Sequence, residues 1–259
     1  MKKGLLIFIF IIELSCYVFS QGNALKMVKI PGMNIKMLAT EVTQNLYELV
    51  MGEIPENLIS LTTDISPVVG EDQDMRPIGS VSFYDALYFC NKLSEMSGLK
   101  PVYTFNGSTD VKAWNYIPHN AKYLKGNIRL KKNADGYRLP TVEEWQYAAK
   151  SGETYLYAGS NDIDEVAWYK DNSDRSHQVG MKKSNQYGLY DMTGNVSEWC
   201  WDWPIYIEFY SESQSEFNPT LGGSFKDNET ACMLRKEKTT LVNFSSRYVG
   251  FRIVCLDKE

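Results

Sequence analysis

The chain has 259 residues, 44% hydrophobic and 13% aromatic, which is enough apolar material for a full core and excludes a disordered chain. Its 27 Lys and Arg against 32 Asp and Glu leave a formal charge of −5. No basic stripe is present either, so no nucleic-acid partner is expected.

Lys2 and Lys3 precede a short apolar run at 5–12, and Val18, Phe19 and Ser20 place small or aliphatic residues before Gln21. This is the order of a secretory signal peptide. Residues 1–20 therefore read as a signal and 21–259 as a single exported domain, whether periplasmic, cell-surface or secreted. The apolar run falls short of the roughly 20 residues that a membrane-spanning helix needs, and no transmembrane helix is expected. Cys16, after Leu14 and Ser15, opens a lipoprotein alternative, although Glu13 stands where an aliphatic residue is wanted. Signal cleavage leaves Cys90, Cys200, Cys232 and Cys255. In an oxidising compartment that even count points to two disulfides, in any of three pairings.

After the extended KMVKIPG stretch, residues 43–51 read as a short helix. Ser82 and Asp85 resemble a capping box, and Phe83, Ala86, Leu87, Cys90 and Leu93 follow at helical spacing with Gly98 to close the end. Residues 101–134 form a polar, aromatic-sprinkled insertion of loop and short strands. Thr141 and Glu144 make a T-x-x-E box for a third helix, with Pro140 before it and Gly152 after. Beyond it Gly, Asn, Asp and aromatic residues alternate too densely for long elements. Short strands and ordered loops are expected there, ending in a core strand over 248–255.

Three long signatures stand in order: GYRLPTVEEWQYAAKSG at 136–152, GLYDMTGNVSEWCWDW at 188–203, and LGGSF leading to GFRIV over 221–254. Together they resemble the formylglycine-generating enzyme, or sulfatase-modifying factor, domain family. The resemblance implies an α+β fold, a variant of the C-type lectin fold with few short helices and strands. In that family the second signature holds calcium through a side chain, two backbone carbonyls and a Glu, and the matching positions are Asp191, Gly194, Val196 and Glu198. Such oxygens suit a hard cation; a salt bridge from Glu198 to an arginine such as Arg252 is the purely architectural alternative. The resemblance also implies a Cys90–Cys255 disulfide, although Cys255 lies two residues beyond the family's position; Cys200 and Cys232 would then be the remaining pair.

The third signature bears on catalysis. The family's enzymes bind copper(I) through two thiolates that follow the GGS-aromatic motif, a soft ion on soft ligands. Here Gly222, Gly223, Ser224 and Phe225 are present and Cys232 matches the second cysteine, but Asp227 occupies the place of the first and Ser197 that of a family tryptophan. A carboxylate cannot replace a thiolate for copper(I), so Ser197, Ser224, Asp227 and Cys232 read as vestigial positions and copper is not expected. His119 and His177 stand apart from any zinc-ligand spacing and read as solvated loop residues, and no GxSxG, Walker or dinucleotide motif occurs. The expected function is a binding module for a protein or small ligand, with Lys226, Asp227, Asn228, Arg235, Phe244 and Tyr248 as the contact surface. The segment 226–248 also resembles the diversified region of variable receptors made by diversity-generating retroelements, with an ordinary surface loop as the preferred alternative. The alternative is a formylglycine-generating oxidase acting on a sulfatase cysteine.

Overall fold

The computed structural model describes residues 25–55, 68–202, 205–208 and 214–258. The expected signal segment and Cys16 lie outside the described residues. The two ends of the domain meet in one sheet: β1 (Met27–Lys29) pairs antiparallel with β2 (Ile35–Leu38), which pairs antiparallel with the last strand, β10 (Val254–Leu256). Asp257, just past β10, takes both Lys29 and Lys36, at 2.8 and 2.9 Å.

Three helices begin where local chemistry starts them. Thr43 caps α1 (Gln44–Met51), its hydroxyl accepting from the Leu46 N–H, and Gly52 ends it with a φ of 91°. Ser82 and Asp85 form a complete capping box on α2 (Phe83–Met96), and Thr141 and Glu144 another on α3 (Val142–Lys150). Glu144 also receives both terminal nitrogens of Arg138 at 2.6 Å, which ties the strand-like entry of the first signature to its helix. The insertion forms an antiparallel ribbon, β3 (Tyr103–Phe105) with β4 (Ile128–Leu130). A single turn, α4 (Ile163–Val166), was not anticipated from the sequence.

The remaining strands make one sheet: β5 (Ser197–Trp199), β6 (Ile205–Glu208), β7 (Gln214–Leu221), β8 (Glu237–Leu241) and β9 (Val249–Gly250). β7 carries β8 on one side and β5 with β6 on the other. The strand expected over 248–255 is instead two. β9 pairs parallel with β5 and β10 pairs with β2, so the chain changes sheets at 251–253. There the Phe251 and Ile253 carbonyls accept from Val42 and Leu38 instead of a strand ladder. The switch points Arg252 into the interior. The main core lies between α2 and this crossing, with Phe89 stacked on Tyr47 and edge-on to Phe251 at ring separations of 5.4 and 5.2 Å.

Both expected disulfides are absent. Cys90, Cys200, Cys232 and Cys255 are free thiols. Cys90 sits in the main core with Cys255 packed against it, whereas Cys200 and Cys232 belong to two different apolar clusters and are both fully buried. Burial pushes all four thiols above their ordinary range.

Candidate functional site

The GGSF motif shapes the site. β7 ends at Leu221 and the chain turns through Gly222 and Gly223, with φ of 87° and 70°, a region that β-carbons disfavour. A Cβ on Gly223 would stand 2.6 Å from the Cys232 sulfur, so the turn lies directly on that thiol. Ser224, fully buried, donates its hydroxyl to Asp227 Oδ2 at 2.7 Å. The antiparallel register sets Lys238 of β8 opposite Thr220 of β7, and from there its ammonium pairs with Asp227 Oδ1. Asp227 is thus held from both sides by Ser224 and Lys238.

Behind it, Cys232 ends a 3-10 turn (Glu229–Cys232) capped by Asn228, and its sulfur faces the Ser224 carbonyl at 3.9 Å. Burial, reinforced by the Asp227 charge and only partly offset by Lys238, pushes this thiol up to about 12. At neutral pH the free thiol stays protonated, which makes it a poor nucleophile.

An open cavity of about 740 Å³ lies over this end of the sheet. Ser197, Thr220, Lys238 and Thr240 share one sheet face by register, and Lys226, Asp227, Phe244 and Tyr248 close the sides. The Thr220 and Thr240 hydroxyls are 3.0 Å apart, and the Phe244 and Tyr248 rings lie 6.5 Å apart. Of the expected contact residues, Lys226, Asp227, Phe244 and Tyr248 line the cavity. Asn228 and Arg235 do not; Asn228 accepts from the Ala231 N–H as a cap. The β8 wall, including Glu237, Lys238 and Thr239, was missed, because only the pairing with β7 brings it beside the GGSF turn.

The second signature forms a buried electrostatic knot. Asp191, Gly194 and Asn195 all adopt positive φ, a conformation that Asp, Asn and Gly tolerate best. Arg252 reaches Glu198 with Nε on Oε2 and a terminal nitrogen on Oε1, both at 2.6 Å, and Trp145 Nε1 adds a third bond at 2.6 Å. Asp191 accepts the Gly180 N–H at 2.7 Å, and Glu41, also fully buried, accepts from the Val196 N–H at 3.2 Å. Burial raises the Asp191 carboxyl to about 6, and burial with the Asp191 and Glu198 charges raises Glu41 well above its ordinary range. Tested against calcium, the set does not fit as arranged. Both Glu198 oxygens are committed to Arg252 and Trp145, and Asp191 is tied to the Gly180 N–H.

The two histidines are not the solvated residues anticipated from the sequence. His177 stacks on Trp168 at 3.8 Å and links Glu71 at 2.6 Å to Ser173 at 2.8 Å. His119 packs beside Tyr47 and gives its backbone N–H to Asp85 at 2.9 Å. The Glu71 and Asp85 contacts lie 106 and 34 residues away in sequence, beyond any local pattern.

The sulfatase-modifying factor enzyme 1-like domain family matches residues 17–256. A protein of Paenibacillus barcinonensis named chaperone protein LppX is 37% identical over 192 residues, 65% of this chain and 62% of its own length. The formylglycine-generating enzyme of Thermomonospora curvata is 29% identical over 147 residues, 45% of this chain and 48% of its own. The chain therefore spans less than two thirds of the length of these curated relatives. Among solved structures, Treponema denticola variable protein 1 superposes with a TM-score of 0.74 at 32% identity, covering 89% of this chain and 91% of that one.

Proposed function

The chain belongs to the sulfatase-modifying factor enzyme 1-like domain family, and we propose that it is an exported member that binds a protein or small ligand in the cavity over β7 and β8 rather than oxidising a substrate cysteine. One observation carries this reading: where the resemblance calls for paired thiolates, a carboxylate fixed by Ser224 and Lys238 stands in front of a single buried, protonated thiol. Copper(I) needs paired soft ligands, and this pair supplies one hard oxygen donor and only one sulfur. The cavity offers instead a hydroxyl floor, one ion pair and two aromatic rings, which is the composition of a recognition site. The names of the relatives fit: LppX is called a chaperone, and the Treponema protein a variable protein.

The deciding experiment supplies copper(I) and oxygen with a peptide carrying the CxPxR sequence and follows the cysteine by mass spectrometry. No formylglycine above background is expected; turnover would return the chain to the oxidases. In parallel, Tyr248→Ala and Lys226→Glu should each abolish retention of whatever partner the wild-type protein holds from an envelope extract. Retention unchanged in both would place binding elsewhere on the molecule.

A further inference from the structure

A second cavity, of about 570 Å³, shares no lining residue with the first. It lies between the β3–β4 ribbon and β7, so the insertion builds one of its walls. Its floor is Trp201, on which Phe83 stacks at 5.9 Å with 18° between the planes and against which Tyr103 leans at 4.9 Å. An indole fixed on two sides by other rings is a rigid platform for a flat or branched apolar group.

Two further observations point to a ligand. Asn218, fully buried on β7 and lining the cavity, gives its amide nitrogen to the carbonyls of Cys200 and Asp202 at 3.4 and 3.3 Å. Its Oδ1 has no hydrogen-bond partner among the described residues. Buried amide oxygens are almost always satisfied, so this one calls for an N–H donor. The rim also carries unpaired charge of both signs. Arg129 and Lys132 have no carboxylate partner among the described residues; Glu216 accepts the Tyr84 hydroxyl at 3.1 Å and Asp202 the Val142 backbone N–H, but neither has a cationic partner there. Burial, with Glu237 and Glu144 nearby, holds the Asp202 carboxyl above its ordinary range in spite of the hydrogen bond from the Val142 N–H.

Two cations facing two carboxylates around an apolar floor are balanced by a ligand that carries one charge of each sign. A monoanion or a monocation would leave two like charges uncompensated, and a capped peptide would compensate neither pair. We propose that this cavity binds a free α-amino acid with an aromatic or large apolar side chain. The side chain lies on Trp201, the carboxylate faces Arg129 and Lys132, and the ammonium faces Asp202 and Glu216, beside the buried Asn218 amide. This site is independent of the pocket over β8.

Saturation-transfer NMR and titration calorimetry on the whole protein test it with three probes: L-phenylalanine, N-acetyl-L-phenylalanine and L-phenylalanine amide. L-phenylalanine should bind, and each blocked analogue should bind at least about tenfold more weakly, because blocking leaves polar groups of the site unpaired. Arg129→Ala should weaken L-phenylalanine and erase its advantage over the amide, while Trp201→Ala should remove binding of all three. Arg129 is exposed, so its variant keeps the test decisive should the Trp201 variant fail to fold. No binding of L-phenylalanine at about 10 mM, a concentration far above the range of specific metabolite sites, overturns the proposal. Equal binding of the three probes, or loss of binding in Tyr248→Ala, overturns it as well.

Discussion

Arg252 and Glu198 are both almost fully buried, with side-chain exposures of 0% and 1%, so neither can turn to water when its partner is removed. Breaking such a pair strands a charge, which costs about 3–5 kcal/mol. Arg252→Met should therefore lower unfolding stability by that order, read from urea denaturation. Replacing Arg252 and Glu198 together should cost less than the sum of the two single changes. Gly223 is constrained differently: its φ of 70° and its contact with Cys232 leave no room for a methyl group. Gly223→Ala should destabilise by about 1–3 kcal/mol through overpacking and backbone strain, measured in the same way. The Asp227 substitution was legible in the sequence as an isolated oddity. Its consequence was not, because Lys238 arrives from the next strand.

Each of the three main helices is specified within four residues of its own start. Thr43, Ser82 and Thr141 bond the amides that their helices leave open, which is why all three starts could be placed without a structure. The box on α2 has a second task. Asp85 accepts from the Ser82 N–H and hydroxyl, the Tyr116 hydroxyl and the His119 N–H, so it also pins the insertion to the core. Ser82→Ala should cost about 1 kcal/mol, the ordinary loss of a cap. Asp85→Ala should cost clearly more, and the difference in urea midpoint measures the tie to the insertion. Burial pushes the Asp85 carboxyl up, but the hydrogen bonds and charge from His119, with those from Ser82, hold it below its ordinary value. A depressed carboxyl contributes stability above its unfolded value and loses it as pH falls through the folded one. Asp85→Asn should accordingly flatten the acid limb of the stability profile below about pH 4.

Across the whole molecule, three buried carboxylates, Glu41, Asp191 and Glu198, share one guanidinium, Arg252. Asp191, at about 6 when folded against 3.8 for the free group, holds its proton more tightly in the folded state. Stability should therefore rise as pH falls from 7 towards 5, across the window between those two values, until groups such as Asp85 begin to protonate. Melting temperatures over this range should show an optimum on the acid side of neutrality, and Asp191→Asn should reduce the slope, leaving the part that Glu41 contributes. Calcium at neutral pH should leave the melting temperature unchanged, because Glu198 is already held. A calcium-dependent rise would show that the knot opens to take the ion. What the amino-acid order settled alone is what lies close along the chain: the helix starts, the GGSF turn and the three signatures that mark the family. The tertiary structure decided what depends on separated segments meeting: the thiols left unpaired, Arg252 turned inward where the last strand breaks, the β8 wall, and the cavity behind the insertion. Contacts between residues three apart are fixed by backbone geometry. Those between residues 54 or 106 apart exist only once the sheets have chosen their neighbours.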